Sequence, residues 1–328
     1  MKSVVPQVTK NVNIGARTVF DEAVGRRQVP NIFDNESMSS FTHLRNAMPS
    51  LSMPFPMPPK SAFKKTSSEL AAPNMALLAM EFRAFWEFSA VLPAWPALMQ
   101  APRSDGHSVI VFPGLAASDS STYPLRRYLE TLGYDVAGWR QGNNFGPRAG
   151  VLDVIKRQVQ DAFLAGKTAH QPGRKVSLIG WSLGGIYVRE IAKELPECVR
   201  CVITLGTPFS GSPRSTNAWR LYEMVSGHTI ETEQENFDLH VAPPVPTTSI
   251  YSKTDGVVAW QGSIQSNAPG MGHAQTENLQ VMASHIGMGL NPGAWWAVAD
   301  RLAQPEGDWK PFAKPKMLGL GGLVFPKS

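Results

Sequence analysis

The chain has 328 residues, 43% of them hydrophobic and 17% charged, a balance that excludes a disordered or fibrous chain and suits one large α/β domain with appendages. The net charge of +5 comes from lysines and arginines that are scattered rather than gathered into a stripe, so no nucleic-acid partner is expected. Two cysteines, Cys198 and Cys201, exclude a disulfide framework and fit a reducing, cytoplasmic compartment.

The opening "MKSVVPQVTKNVNIGARTVF" has a basic residue at position 2 but no apolar core of signal-peptide length, so export by that route is not expected. Residues 1–68 lack periodic pattern, and "MPSLSMPFPMPPKSAFKKTSSEL" is rich in Pro, Ser and Met, as in an extended arm. Residues 69–105 carry an apolar helix and a connection. From Asn74 to Leu92, the spacing of Leu78, Phe82, Phe85 and Leu92 makes one stripe, with Trp86 beside it and Glu81 intruding. Pro93 is expected to end this helix. The stripe has three readings: docking on the main domain, which is the expected one, a lid, or peripheral contact with a membrane surface. The longest uncharged stretch, Phe88 to Pro102, is broken by three prolines and falls short of the ~20 residues that span a bilayer.

From residue 106 onward, apolar runs alternate with amphipathic segments: "SVIVF", "YPLRRYLETLG", "YDVAGW", "VLDVIKRQVQDAFLAG" and "KVSLIG". This order predicts an α/β fold, a doubly wound and mainly parallel sheet continuing through "CVITLG" and "TTSIYS". The catalytic domain is expected to span 106–328, with a cap insertion around 208–245. Cys198 and Cys201 are spaced C-x-x-C, but zinc needs two further ligands nearby, so the pair reads as a loop thiol and a small buried residue of the strand. No metal and no cofactor are expected.

In "VSLIGWSLGG", an apolar strand is followed within a few residues by the helix-like "IYVREIAKEL". Gly180-Trp181-Ser182-Leu183-Gly184 is G-x-S-x-G, whose glycines let backbones approach while Ser182 turns sharply with its hydroxyl exposed. A serine hydroxyl is a poor nucleophile at neutral pH, so it needs a histidine base and a carboxylate to orient that base. The G-x-S-x-G turn resembles the nucleophile elbow of α/β-hydrolases, and that resemblance implies the chain order nucleophile, acid, base; after Ser182, Asp255 follows an apolar strand in "IYSKTDGVVAW", a context that Asp238 lacks. Of the two later histidines, His285 stands between a short apolar segment and a final helix, and His273 lies in the glycine-rich "APGMGHAQTEN". His285 is the expected base. The amides of Leu183, at the start of a helix, and of Leu115, after Pro113-Gly114, are the expected oxyanion donors. Trp181 and Phe209 are candidates for the acyl pocket, and equally for core.

Together, "VFPGLAASDSS", "GWSLGG", "LGTPFSG", "YSKTDGVV" and "SHIGMG" resemble, in order, the oxyanion loop, nucleophile elbow, post-nucleophile strand, acid loop and histidine loop of lipase-like α/β-hydrolases. The resemblance spans roughly Val109 to Ala303. It implies metal-free acyl transfer by a Ser182–His285–Asp255 triad with Leu115 and Leu183 as oxyanion donors. Two features depart from it: Pro113 stands where many lipases carry histidine, and the first hundred residues match no secretory lipase pattern. The expected activity is hydrolysis of carboxylic esters with apolar acyl groups, the partner being a small-molecule or lipid ester. An acyltransferase, a polyester depolymerase and a non-catalytic binding protein are the rivals.

Overall fold

The computed structural model describes residues 70–146, 148, 150–165, 173–210, 215–218, 238–315 and 325–326. All of them belong to the second of two compact units, residues 65–328. The arm expected over 1–68 and much of the cap expected over 208–245 lie outside the described residues.

Six strands form one sheet: β1 (Ser108–Phe112), β2 (Asp135–Gly138), β3 (Val176–Trp181), β4 (Val199–Leu205), β5 (Thr247–Tyr251) and β6 (Thr276–Gln280). Their spatial order is β2-β1-β3-β4-β5-β6, and every neighbouring pair is parallel. The chain therefore steps outward from β1 to β2, returns to β3 beside β1, and then winds the other way. Between β1 and β3 lies the point where winding reverses, the place where open α/β sheets present a crevice at the carboxyl ends of their strands.

Strand alternation distributes the core between two faces. Val109, Val111, Ile179, Trp181, Ile203 and Leu205 face one side, where they join Leu125 and Leu129 of α4 (Asp119–Thr131) and Ala294 and Val298 of α7 (Pro292–Leu302). Ile110, Phe112, Leu178 and Val202 face the other, packing with Ile155 and Val159 of α5 (Val151–Ala165) and with Val188 and Ile191 of α6 (Leu183–Glu194). Full burial of each aliphatic side chain contributes about 1.5–3 kcal/mol, so each face is held by many such increments. This is the doubly wound sheet expected from the order of elements.

One strand was not anticipated, and one helix boundary needs correction. The strand β6, "TENLQ", carries no apolar alternation because it closes one edge of the sheet and is only partly covered. The helical region before the sheet does not stop at Pro93. It comprises α1 (Met75–Ala79), a 3₁₀ turn at Met80–Arg83, α2 (Ala84–Ser89) and α3 (Val91–Leu98). Pro93 falls in the first turn of α3, where a backbone N–H has no intrahelical partner to lose.

The same breaks in the helix overturn the docking stripe. Phe82, Phe85 and Leu92 are 72%, 67% and 79% exposed. The tighter 3₁₀ turn and the break at Ala90 rephase the faces, so that Glu81, Ala84, Val91 and Leu98 point inward instead. Among the described residues, no helix is long and apolar enough to cross a membrane.

Candidate active site

The strand β3 ends at Trp181 and α6 begins at Leu183, so Ser182 alone turns the chain. Its backbone has φ 52° and ψ −122°, one of three positive-φ positions occupied by a residue other than glycine among the described residues. Such a conformation costs on the order of 1–3 kcal/mol and persists only where its surroundings impose it. Here the Ser182 N–H donates to the Leu205 carbonyl at 2.8 Å, and the Gly185 N–H donates to the Ser182 carbonyl at 2.9 Å. Gly184 packs so closely on the end of β1 that a Cβ there would lie 2.5 Å from the Phe112 carbonyl oxygen. The G-x-S-x-G spacing is thus a packing requirement of the β3–α6 turn against β1.

The loop leaving β1 passes beside the serine. A Cβ on Gly114 would sit 3.2 Å from Ser182 Cβ. Asn144, fully buried, holds this loop: its Nδ2 donates to the Pro113 carbonyl at 2.8 Å, its N–H to Ala117 at 2.8 Å, and its carbonyl accepts from Ala116 at 2.7 Å. Among the described residues, neither the Leu115 N–H nor the Leu183 N–H has an acceptor. Leu183 also opens a 12-residue helix, whose N-terminal dipole favours negative charge. Asn144 was not singled out from sequence.

Asp255 and His285 meet at the same edge of the sheet. His285 Nδ1 lies 2.7 Å from Asp255 Oδ2, both residues being buried. The other carboxylate oxygen accepts from the Val257 and Val258 N–H groups at 2.8 and 2.7 Å, which fixes the carboxylate's orientation. An ionised carboxylate only accepts, so in the neutral ring Nδ1 carries the proton and Nε2 keeps the lone pair. Burial alone disfavours a charged ring, but the Asp255 carboxylate and, behind it, that of Glu81 outweigh burial and raise the His285 pKa above the ordinary value.

Gly206, at the end of β4, links this pair to the serine. It follows Leu205, the acceptor of the Ser182 N–H, and a Cβ there would lie 3.1 Å from His285 Nδ1 and 3.2 Å from Asp255 Oδ2. No hydrogen bond joins Ser182 Oγ to His285 among the described residues. Such bonds often tighten only when substrate binds.

His273 belongs to the other end of the sheet, where it caps the entry to β6. Its Nε2 lies 2.9 and 3.0 Å from the Pro243 and Val245 carbonyls, and its Nδ1 accepts from the Gln275 N–H at 3.2 Å. Trp181 and Phe209 are both buried. The Trp181 indole N–H donates to the His285 carbonyl at 3.1 Å, so the ring supports the histidine loop within the core. The Arg189 guanidinium covers the Phe209 ring, 3.7 Å from its centroid. Burial and the neighbouring Glu197 carboxylate push the Cys198 thiol up to about 11. Among the described residues, no group of three or more His, Cys, Asp and Glu could hold a metal ion.

Glu81 is the residue that sequence reasoning undervalued. Its Oε1 accepts from the Gly256 N–H at 2.7 Å and the His285 N–H at 2.9 Å, and its Oε2 accepts from the Ile286 N–H at 2.8 Å. Only a polar residue on the wrong face of an apolar helix hinted at it.

No protein-family profile matches the chain, and no curated protein does. Solved structures similar to it include Aspergillus fumigatus lipase B, at 18% identity and a TM-score of 0.47, over 66% of this chain and 58% of that one. The chain thus spans well under two thirds of that lipase. A pyrethroid hydrolase from Sphingobium faniae matches at 18% identity and a TM-score of 0.42, over 61% of this chain and 98% of that one. The Pyrococcus furiosus esterase Pf2001 matches at 17% identity and a TM-score of 0.42, over 60% and 81%. This chain's own doubly wound sheet, with a strand-turn-helix at Ser182 beside the winding reversal, has the architecture of the α/β-hydrolase fold.

Proposed function

We propose that this chain is a serine hydrolase of carboxylic esters, with Ser182 as nucleophile, His285 as base and Asp255 as its orienting acid. The observation that carries the reading is the serine held at φ 52° beside a buried Asp255–His285 pair, all at one edge of the sheet. Strain of this kind is retained where chemistry needs an exposed hydroxyl at a fixed place.

In the reaction, His285 Nε2 takes the proton of Ser182 Oγ as that oxygen bonds to the ester carbonyl carbon. The carbonyl oxygen becomes an oxyanion, met by the Leu115 and Leu183 N–H groups and the N-terminus of α6. Asp255 stabilises the imidazolium without accepting its proton. The C–O bond to the alcohol breaks as His285 returns its proton to the leaving oxygen. Water, deprotonated by the same Nε2, then cleaves the acyl-enzyme and restores Ser182.

An apolar acyl group fits the surroundings. Met282 and Ile286, in the chain around His285, are 52% and 49% exposed. The test is covalent labelling by a fluorophosphonate together with p-nitrophenyl ester turnover. Wild type should show both, and Ser182→Ala neither; retention of labelling by that variant would remove Ser182 from the mechanism.

A further inference from the structure

Three side chains of the helical segment before the sheet reach the two loops that carry the acid and the base. Glu81, 4% exposed, takes one N–H from the acid loop, at Gly256, and two from the histidine loop, at His285 and Ile286. Gly256 is the residue after Asp255, and its backbone is pressed against the carbonyl of Leu77, so the segment lies directly on the acid loop. Glu87 Oε1 accepts from the Ser284 N–H at 2.7 Å, and its Oε2 is 3.4 Å from Asn291 Nδ2. Arg83 pairs with Glu87 at 3.1 Å and donates to the carbonyl and hydroxyl oxygens of Thr254 at 2.6 and 2.9 Å.

We propose that Glu81 is a positioning residue for the ester hydrolysis, its single carboxylate clamping the Asp255 loop to the His285 loop and so setting where the imidazole stands. The proposal rests on the reading of Ser182, His285 and Asp255 given above. Neither loop belongs to a strand or helix at these positions, so their separation is fixed by side chains that bridge them. Glu81 bonds the backbone on both sides at once, one residue from the acid and at the base itself. Its acceptors are matched by backbone N–H groups, and a buried carboxylate is tolerated where such donors converge on it.

The negative charge matters as well as the reach. The groups facing His285 are Asp255 from the acid loop and Glu81 from the helical segment, with Glu87 one residue along at Ser284 and its charge offset by Arg83. Glu81 and Asp255 both favour the protonated ring. Removing the Glu81 charge therefore lowers the pH at which His285 gives up its proton.

The experiment uses the full chain with p-nitrophenyl butyrate, comparing wild type, Glu81→Gln, Glu81→Asp and Ser182→Ala. In Glu81→Gln an amide NH₂ must face a backbone N–H, and displacement of the base by about 1 Å costs on the order of 100-fold in kcat, with KM changed less than about threefold. The acid limb of kcat/KM should also move to lower pH, which loss of structure alone does not produce. Glu81→Asp keeps the charge but falls one methylene short, so its kcat should drop about tenfold with the acid limb unmoved. Should Glu81→Gln not fold, the Glu81→Asp pattern carries the test by itself. Wild-type kcat and limb in a folded Glu81 variant would overturn the positioning role alone. A wild type without Ser182-dependent turnover would overturn the hydrolase reading, and this proposal with it.

Discussion

His285 Nδ1 and Asp255 Oδ2 are 2.7 Å apart in a buried pair whose second carboxylate oxygen is held by two backbone N–H groups. The pair orients the ring and raises its pKa, with Glu81 adding to the effect. The proposed mechanism requires the neutral imidazole, so kcat/KM should climb with pH through a limb above the ordinary histidine value. In Asp255→Asn, the side-chain NH₂ would donate to Nδ1 and leave the proton on Nε2, facing the nucleophile. The expected loss in kcat is on the order of 10⁴-fold, with the residual activity no longer showing the raised limb. A pH–rate profile of both proteins checks this, and a variant within tenfold of wild type would exclude the pair from catalysis.

The same pair has a stability signature. A histidine whose pKa is higher folded than unfolded contributes stability that is fully present below its unfolded pKa and lost as pH rises through the folded one. The stability difference between wild type and His285→Asn should accordingly shrink on going from mildly acidic to alkaline pH. Urea denaturation across that range is the measurement; a gap that widens with pH would contradict the raised pKa.

Ser182 stores strain that glycine would relieve. At φ 52° and ψ −122° a Cβ is unfavourable, so Ser182→Gly should stabilise the fold by about 1 kcal/mol while abolishing ester turnover. Ser182→Ala keeps the Cβ and should lose turnover without that gain. Thermal melts of the two variants separate the outcomes, and a glycine variant less stable than wild type would show that the turn is not strained.

What the sequence made legible depended on regular spacing. The alternation of apolar runs and amphipathic segments led to β1 through β5, because buried strands and covering helices must each repeat their apolar residues at a fixed period. The Ser182 turn was legible because glycines flank it where backbones touch. The pairing of Asp255 with His285 came from the resemblance to α/β-hydrolases, whose acid and base loops both return to the carboxyl edge of the sheet. Thr276–Gln280 was missed because an edge strand needs no apolar alternation. Glu81 and Asn144 were missed because their partners are backbone groups remote in sequence, and a backbone amide leaves no mark in the residue alphabet.

The two later histidines should separate by readout. His273 bridges the Pro243 and Val245 carbonyls near the start of β6, so His273→Ala should cost about 1 kcal/mol of stability and change turnover only a few fold. His285→Ala should eliminate nearly as much activity as Ser182→Ala, because members of one catalytic unit are not additive. Combined melts and ester kinetics decide between them; the reverse ranking would transfer the base to His273.

The last prediction concerns the helical segment that sequence alone read as a docking stripe. Phe82, Phe85 and Leu92 face outward, whereas Leu98 is 2% exposed and packs in the same core cluster as Tyr128 and Trp295. Replacing Phe82, Phe85 and Leu92 together with serine should therefore shift stability by no more than about 1 kcal/mol, the range for exposed positions. Leu98→Ala, a single substitution, should cost about 2–5 kcal/mol because it removes buried methyl groups and leaves a cavity. A stripe that served as core would give the opposite ranking, with the triple variant unfolding first. Turnover adds a second discriminator. The triple variant leaves Glu81, Arg83 and Glu87 in place, so hydrolysis of short soluble esters should persist, whereas deletion of residues 1–99 removes all three along with Val91 and Leu98. That deletion should yield protein that aggregates or has lost turnover, and a soluble, fully active product would show that neither the core contacts nor the Glu81 clamp is required.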